Sequence, residues 1–294
     1  MLYLAANHIA DPPGAVSLGT VPRSLYPSAP VDATLRAQHY DAVTADLRET
    51  LPSQSSAGGE QPKFLVRVGD DDQSCQHLLV KFCPPHGTPF GERWRSLLHL
   101  EALALNTLKA HGISVAASKI ITSETRSYPE FRRFDRIGRE GKRHVVAIDA
   151  LHEEFVKTPR RNWVHTCEAL VAKKLLSRDD LEKVARIYAF GQFIGSSDMH
   201  FGNLSFYVDD VVRPSFKLAP VYDMLPMMWR PITHSGELDA TAVRRQPQHP
   251  GYRDAYADAR RWAILFWEAA AGLDMLEASL RQCCDASAAR LREG

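Results

Sequence analysis

The chain has 294 residues, and its 36 lysine and arginine residues are balanced by 35 aspartate and glutamate residues, giving a formal net charge of +1. That balance argues against nucleic acid or an acidic membrane surface as the main partner. With 45% hydrophobic and 24% charged residues, the composition is typical of a globular protein, and the length favours two lobes that each bury a core.

Targeting signals and the spacing of the cysteines exclude further classes of protein. No stretch is apolar enough to predict a membrane span, and the N-terminus shows no secretory signal. The five cysteines include no C-x-x-C pair, so neither a zinc knuckle nor a redox pair is indicated, and a reduced, cytoplasmic compartment is favoured.

The N-terminal half mixes helix and strand signals. Residues up to about 30 are rich in proline and are expected to be irregular. The spacing of apolar residues predicts, in chain order, a helix from Asp32 that stops at Pro52, strands at 64–68 and 77–82, a helix over 92–111, and β-like runs at 113–115 and 119–121. A polar loop containing Gly58 and Gly59 separates the first helix from the first strand.

Beyond a stretch at 128–136, which is expected to cross between lobes, the chain becomes mainly helical. Helices are predicted at roughly 162–176, 179–195 and 252–281, with one hairpin that pairs 204–208 with 215–218. Trp262, Phe266 and Trp267 are expected in the core of this half. The pattern therefore predicts an α+β chain with a β-containing N-terminal lobe and a helical C-terminal lobe.

The sharpest chemical signal is Asp198 followed by Asn203, at the spacing of a kinase catalytic loop. In such a loop the aspartate accepts the proton of the attacking hydroxyl, and the asparagine side chain ligates Mg²⁺. Asp223 lies just past the following hairpin, where kinase-like folds place a second magnesium ligand. Each pattern alone also suits an ordinary capping or turn residue, so the interpretation depends on their order along the chain.

Upstream, Lys81 lies among apolar residues on a predicted strand, and Glu101 lies on the helix that follows. A strand lysine paired with a helix glutamate would fix a cation over nucleotide phosphates. The alternative is an edge-strand lysine and a solvent-facing glutamate. The loop at 57–63 could present backbone N–H groups and Lys63 to phosphates, although it matches neither G-x-x-x-x-G-K-[ST] nor G-x-G-x-x-G.

Taken in order, these elements resemble the HipA family of bacterial serine/threonine kinases, and within it the shorter HipA-like toxin kinases. The segments that carry the resemblance are Ser-Ala-Gly-Gly-Glu-Gln-Pro-Lys at 56–63, Leu-Val-Lys-Phe at 79–82, Arg-Arg-Phe-Asp-Arg at 132–136, Asp-Met-His-Phe-Gly-Asn-Leu-Ser-Phe at 198–206 and Tyr-Asp-Met-Leu-Pro at 222–226. The resemblance implies a two-lobed, protein-kinase-like fold with ATP and Mg²⁺ between the lobes. It divides the chain into an N-terminal extension (1–54), an N-lobe with a Gly-rich loop (55–130) and a C-lobe with a catalytic loop (131–294).

The resemblance also implies roles for individual residues. Asp198 would be the catalytic base with His200 beside it on the catalytic loop, and Asn203 and Asp223 would hold Mg²⁺. The residues implied to bind the nucleotide are Gly58, Gly59, Lys63, Lys81 with Glu101 as its partner, and Arg132 and Phe134 beside the adenine, with Asp135 and Arg136 closing that motif.

In some family members a serine of the Gly-rich loop is autophosphorylated and the kinase shuts down. Ser55 and Ser56 lie at the matching place in this chain. A phosphoserine there would put a charge of roughly −1.5 to −2 where the ATP phosphates belong, which supplies a physical reason for inhibition.

By resemblance, the expected substrate is a protein, with an aminoacyl-tRNA synthetase or another translation component as the target class, and an antitoxin is raised as a partner. Full-length members carry a longer N-terminal subdomain than residues 1–54 provide. Two other functions stay open from the residues: a small-molecule kinase of the aminoglycoside-phosphotransferase type, and a nucleotide-binding module without transfer activity. A zinc hydrolase and a serine hydrolase are disfavoured because neither His-Glu-x-x-His nor Gly-x-Ser-x-Gly occurs.

Overall fold

The computed structural model describes residues 14–15, 30–50, 62–69, 75–231, 240–244 and 251–293. Ser55, Ser56, Gly58 and Gly59 of the predicted Gly-rich loop lie outside these ranges, so what the sequence implies for them stays a prediction.

The described elements give the α+β class that the sequence predicts, with most strands before residue 150, where one long helix also lies, and mainly helices after it. In chain order they are α1 (Arg36–Thr50), β1 (Lys63–Val68), β2 (Gln76–Lys81), α2 (Pro89–Ala110), β3 (Ser118–Thr122), β4 (Ser127–Arg132), β5 (Arg136–Ile137), β6 (Gly141–Lys142), β7 (Val145–Ala147), α3 (Ile148–Leu151), a π-helical turn (His152–Val156), α4 (Trp163–Ala172), α5 (Arg178–Phe193), β8 (Ser205–Asp210), β9 (Ser215–Leu218), a 3₁₀ turn (Met227–Trp229), α6 (Arg253–Ala271) and α7 (Ala278–Glu293).

The N-lobe is built on a four-stranded antiparallel sheet in the order β1-β2-β4-β3. In the β1–β2 hairpin Lys63 lies directly opposite Lys81, and on the other side of β2 Leu79 pairs with Phe131 of β4. Because β2 has a neighbour on both sides, Lys81 ends an interior strand. The edge-strand alternative for this lysine is therefore wrong.

Buried phenol–carboxylate hydrogen bonds fix α1 to this sheet. Tyr40 donates to Glu130 Oε1 at 2.7 Å, and Tyr128 donates to Asp41 Oδ1 at 2.6 Å. Both phenols are fully buried. Burial, reinforced by the adjoining carboxylate, raises the pKa of each phenol, so each stays a protonated donor. The helix that precedes the Gly-rich loop is thus attached to the sheet by specific polar contacts as well as by apolar packing.

We expect Tyr40→Phe to lower the free energy of unfolding by about 1–3 kcal/mol, because buried Glu130 loses its phenolic donor while the packing of the ring is kept. Urea unfolding checks this. Tyr188→Phe is the matched control, since the described structure contains no carboxylate partner for that hydroxyl. Equal stability of the Tyr40→Phe variant and the wild type would contradict the assignment.

The C-lobe core lies between the long helices. Trp229 packs on Trp267 with ring centroids 5.0 Å apart, and Phe190 contacts Phe266 edge-to-face. Trp262 is 8% exposed, and Phe266 and Trp267 are fully buried, which confirms their predicted place in the core.

The single helix predicted over 252–281 is wrong. Helix α6 ends at Ala271 with Gly272 as its C-cap, and α7 begins at Ala278. Glycine is costly inside a helix and common just past its end. The short link packs back on the lobe through Leu276, which is 2% exposed, so the apolar spacing continues while the helix does not.

The two lobes are joined near the site by a pair of backbone hydrogen bonds. Ala116 N–H donates to Val221 O, and Val221 N–H donates to Ser114 O, both at 2.9 Å. Strand β4 occupies the first part of the stretch predicted to cross between lobes, and the chain leaves the sheet after Arg132. No helix among the described residues is long and apolar enough to cross a membrane.

Candidate active site

A buried three-membered ion cluster links the N-lobe sheet, α2 and the C-lobe. Lys81 Nζ lies 2.7 and 2.9 Å from the carboxylate oxygens of Glu101 and 2.7 Å from Asp223 Oδ1. Glu101 is fully buried on the inner face of α2, which excludes the solvent-facing alternative for this glutamate. The lysine therefore has a carboxylate partner from each lobe.

The charges of this cluster depend on one another. Burial acts to lower the pKa of Lys81, but Glu101 and Asp223 outweigh it and raise that pKa, so the ammonium stays charged. Burial raises the pKa of Glu101 to about 7, although Lys81 opposes that shift. Burial also acts to raise the pKa of Asp223, but the Lys81 ammonium outweighs it and holds that pKa below its usual value.

The backbone places the Asp223 carboxylate. Its φ of +58° lies in the left-handed region, which few side chains other than those of aspartate and asparagine tolerate. The preceding Val221 is fixed by the bridge to the N-lobe, and Tyr222 donates from its hydroxyl to Gly202 O at 2.8 Å. Burial raises the pKa of Tyr222 to about 12, so this donor keeps its proton.

The loop at 198–203, which the sequence predicts to be catalytic, is closed by its own hydrogen bonds. Asn203 Nδ2 donates to the backbone carbonyl of Asp198 at 2.8 Å, and Asn203 N–H donates to His200 O at 3.1 Å. Trp163, at the start of α4, donates from Nε1 to the same His200 carbonyl at 3.2 Å. With the amide nitrogen of Asn203 engaged in the loop, its amide oxygen is the atom available to a cation.

The hinge after β4 is organised around the buried carboxylate of Asp135. Arg133 donates to it through Nε and Nη2, and Arg136 Nη1 and the Gly14 N–H donate to Oδ2 at 2.9 and 2.8 Å. Burial acts to raise the pKa of Asp135, but the hydrogen bonds and charge of Arg133 outweigh it and lower that pKa. Phe134 packs against Tyr222, with ring centroids 5.8 Å apart. The carboxylate of Asp135 therefore ties the hinge together and anchors Gly14 behind it.

These elements enclose a cleft of about 620 Å³. Ten of the residues singled out from the sequence line it, namely Lys63, Lys81, Glu101, Arg132, Phe134, Asp135, Asp198, His200, Asn203 and Asp223. Apolar side chains to which the sequence assigned no role complete the wall, among them Leu65, Leu79, Trp94 and Leu225. Leu65 and Leu79 look like ordinary core residues of their strands in the sequence, and only the structure shows that they face a cavity.

Tyr222 and Trp163 also hold the loop through hydrogen bonds, and no pattern in the sequence predicts either contact. Tyr222 stands inside the quoted segment at 222–226, but no spacing rule assigns its hydroxyl to Gly202. Trp163 lies 37 positions from His200, and its indole nitrogen reaches that backbone only through the packing of α4.

A β-rich N-lobe and a helical C-lobe, with a lysine, a glutamate and an aspartate joined in the cleft between them, define a protein-kinase-like fold. Residues 55–291 match the family model described as HipA-like C-terminal domain. The chain belongs to this HipA-like family.

Individual relatives agree with that assignment. Toxin YjjJ of Escherichia coli (strain K12) is 32% identical over 265 residues, a match that covers 90% of this chain and 58% of that protein. The chain thus spans little more than half the length of that relative.

Among solved structures, HipA of Shewanella oneidensis MR-1, in complex with HipB and operator DNA, matches with a TM-score of 0.58 at 16% identity, over 98% of this chain and 76% of that one. The Helicobacter pylori proinflammatory kinase CtkA matches with a TM-score of 0.51 at 11% identity, over 80% of this chain and 92% of that one. At these identities the likeness shows the fold.

We expect Lys81→Met to lower the free energy of unfolding by about 3–5 kcal/mol near neutral pH, because it leaves the fully buried carboxyl group of Glu101 without its cation. The double variant Lys81→Met/Glu101→Gln should recover part of that loss, since a neutral amide then replaces the buried carboxyl group that has lost its partner. Denaturant unfolding of both variants measures this.

The control is Lys119→Met, which removes an exposed lysine from β3 and should leave stability nearly unchanged. A double variant no more stable than Lys81→Met would contradict the charge argument.

Proposed function

We propose that this chain is an ATP- and Mg²⁺-dependent protein kinase of the HipA-like toxin type, which transfers a γ-phosphoryl group to a serine or threonine hydroxyl. The observation that carries the proposal is the meeting of the Lys81 cluster and the Asp198–Asn203 loop in one cleft of a kinase-like fold. Neither the ion cluster nor the loop alone indicates a kinase, because buried ion pairs and Asp-x4-Asn turns both occur for purely structural reasons.

The residues of the cleft fit a magnesium nucleotide. The amide oxygen of Asn203 and the carboxylate of Asp223 are hard oxygen donors, and Mg²⁺ takes few protein ligands besides phosphate and water oxygens. They would hold the ion, which would bridge and neutralise the phosphates. Lys81, and Lys63 opposite it on β1, would contact phosphate oxygens. The apolar wall and the hinge would receive the adenine.

Asp198 has the surroundings that a catalytic base needs. Its backbone carbonyl is held by Asn203, while its side chain is exposed at the cleft. In the proposed reaction its carboxylate accepts the proton of the attacking hydroxyl, the acceptor oxygen bonds to the γ-phosphorus, and the bond to the bridging oxygen of ADP breaks. Positioning and charge stabilisation supply most of the catalysis in such a transfer.

The named relatives support the finer parts of the proposal. The Escherichia coli relative is called a toxin, and the Shewanella HipA was solved with HipB and operator DNA. We therefore expect a protein partner of the antitoxin kind. A cytoplasmic site of action, and a translation component such as an aminoacyl-tRNA synthetase as substrate, are expected from the sequence analysis alone.

We expect Asp198→Asn to abolish phosphoryl transfer and to leave MgATP affinity nearly intact, because the base contacts the acceptor and not the nucleotide. Asp223→Asn should weaken both, since it removes a magnesium ligand and a partner of Lys81. Radiolabel transfer from γ-labelled ATP and calorimetric titration with MgATP measure the two properties. Asp274→Asn, at an exposed carboxylate remote from the cleft, is the control. Transfer by Asp198→Asn at the wild-type rate would overturn the assignment of the base.

Peptide-mapped mass spectrometry after incubation with MgATP tests the acceptor class. We expect phosphate on Ser55 or Ser56 in the wild type and none in the Asp198→Asn variant, because these serines match the position that is autophosphorylated in some members of the family. Phosphorylation of a small alcohol, with no phosphate on any protein, would favour the small-molecule kinase instead. Nucleotide binding without any transfer would favour the inactive binding module.

A further inference from the structure

His200 makes a hydrogen bond that determines where its ring carries a proton. The backbone N–H of Gly202 donates to His200 Nδ1 at 2.9 Å. A nitrogen that accepts such a bond carries no hydrogen, so the neutral ring must carry its proton on Nε2. We propose that Gly202 sets the tautomer and orientation of His200 so that Nε2–H donates to the phosphoryl group during transfer. This inference rests on the proposed function for its catalytic part and on the structure alone for the tautomer.

Residue 202 has to be glycine for this contact to form. A Cβ built on Gly202 would lie 2.7 Å from His200 Cε1 and 2.9 Å from Nδ1, closer than non-bonded carbon atoms approach. The imidazole therefore packs flat against the space that a side chain would occupy. Any larger residue must push the ring away and lengthen the hydrogen bond that sets the tautomer.

The backbone carbonyls of His200 and Gly202 both accept hydrogen bonds from side chains outside the loop. The His200 carbonyl accepts from Trp163 Nε1 on α4, and the Gly202 carbonyl accepts from the Tyr222 hydroxyl. Tyr222 directly precedes Asp223, so Gly202, whose N–H binds the imidazole, is connected through its carbonyl to the cluster around Lys81. The ring is thereby positioned relative to the phosphate-binding residues before any nucleotide arrives.

The His200 ring also faces the cleft in which the transferred phosphoryl group would lie. His200 is exposed and lines the cleft with Asp198, Asn203 and Asp223. During transfer negative charge is spread over the equatorial oxygens of the γ-phosphoryl group. A preorganised N–H donor aimed at those oxygens stabilises the transition state more than the ground state. Asp198 takes the hydroxyl proton, ADP leaves with the bonding electron pair, and His200 contributes a hydrogen bond without giving up its own proton.

The tautomer can be measured without nucleotide. Long-range proton–nitrogen NMR of histidine-labelled protein distinguishes Nδ1–H from Nε2–H rings, and loss of one signal in His200→Gln assigns the ring. We expect the Nε2–H form in the wild type and a mixture of tautomers in Gly202→Ala. Gly272→Ala, where a Cβ meets only ordinary contacts at 3.5 Å, is the matched control. An Nδ1–H ring at His200 in the wild type would overturn the inference, whatever the activity.

The donor role is tested with two amides of different length. A glutamine at 200 can place its NH₂ near the position of Nε2, whereas an asparagine can only mimic Nδ1. We expect His200→Asn to lower kcat by about 10²–10³-fold, the typical cost of removing one donor from a charge-stabilising site, and His200→Gln to lose far less. Affinity for MgADP should be the same in both variants, because the γ-phosphoryl group is absent.

Binding of MgADP with aluminium fluoride, which mimics the transferred group, separates failure of this inference from failure of the proposed function. The wild type and His200→Gln should bind this complex more tightly than His200→Asn. If the wild type transfers no phosphate yet shows that order of affinities, the proposed function fails and the donor assignment stands. Equal affinities for all three proteins, or equal losses of kcat in the two amide variants, would overturn the donor role.

Discussion

The buried ammonium of Lys81 is the interaction on which the site depends. Its carboxylate partners come from α2 and from the chain beyond β9. Among the ion pairs of the described residues, no other cluster joins the sheet, that helix and the C-lobe at one point. Full burial of Glu101 makes the arrangement expensive to break, because separation leaves its carboxyl group in a low-dielectric interior without a partner. In the proposed kinase the cluster that links the lobes would also determine where a phosphate group binds.

The loop opposite is organised by neutral hydrogen bonds. Its backbone carbonyls are used by Asn203, by Trp163 and by Tyr222, and its one imidazole is fixed by a peptide N–H. Neutral donors of this kind keep their geometry when a charged substrate arrives, whereas a free ion pair would rearrange. The cleft thus combines a charged half, in which ions exchange partners, with a neutral half that keeps its shape. Phosphoryl transfer benefits from that combination, since positioning and electrostatics do most of the work.

Much of this could be predicted from the sequence because the chemistry lies in short segments with fixed spacing. The strand that ends at Lys81, the long helix of Glu101 and the hairpin before Asp223 follow from apolar periodicity, and the order of the motifs pointed to the fold. The features that could not be predicted depend on contacts between residues that are far apart in the sequence. Helices α6 and α7 are separated at Gly272, although the apolar spacing in the sequence continues past that glycine. Strand β2 is an interior strand because it pairs with β4, which lies about fifty residues further along the chain. The position of Gly202 against an imidazole has no sequence signature, since glycine after an aromatic residue reads as a turn.

Asp223 connects the ion cluster around Lys81 to the loop at 198–203. Its left-handed backbone is held on one side by the inter-lobe bridge at Val221 and directly preceded by Tyr222, whose hydroxyl binds the loop. Its carboxylate is bound to Lys81 in this structure, and in the proposed kinase it also has to bind Mg²⁺. In the proposed kinase both cations would compete for one carboxylate, and the nucleotide phosphates would compensate by giving Lys81 new anionic partners while Glu101 retains it. Binding of the metal and of the phosphates would thereby be coupled through the side chain of Asp223. Such coupling would favour binding of the magnesium–nucleotide complex over either component alone.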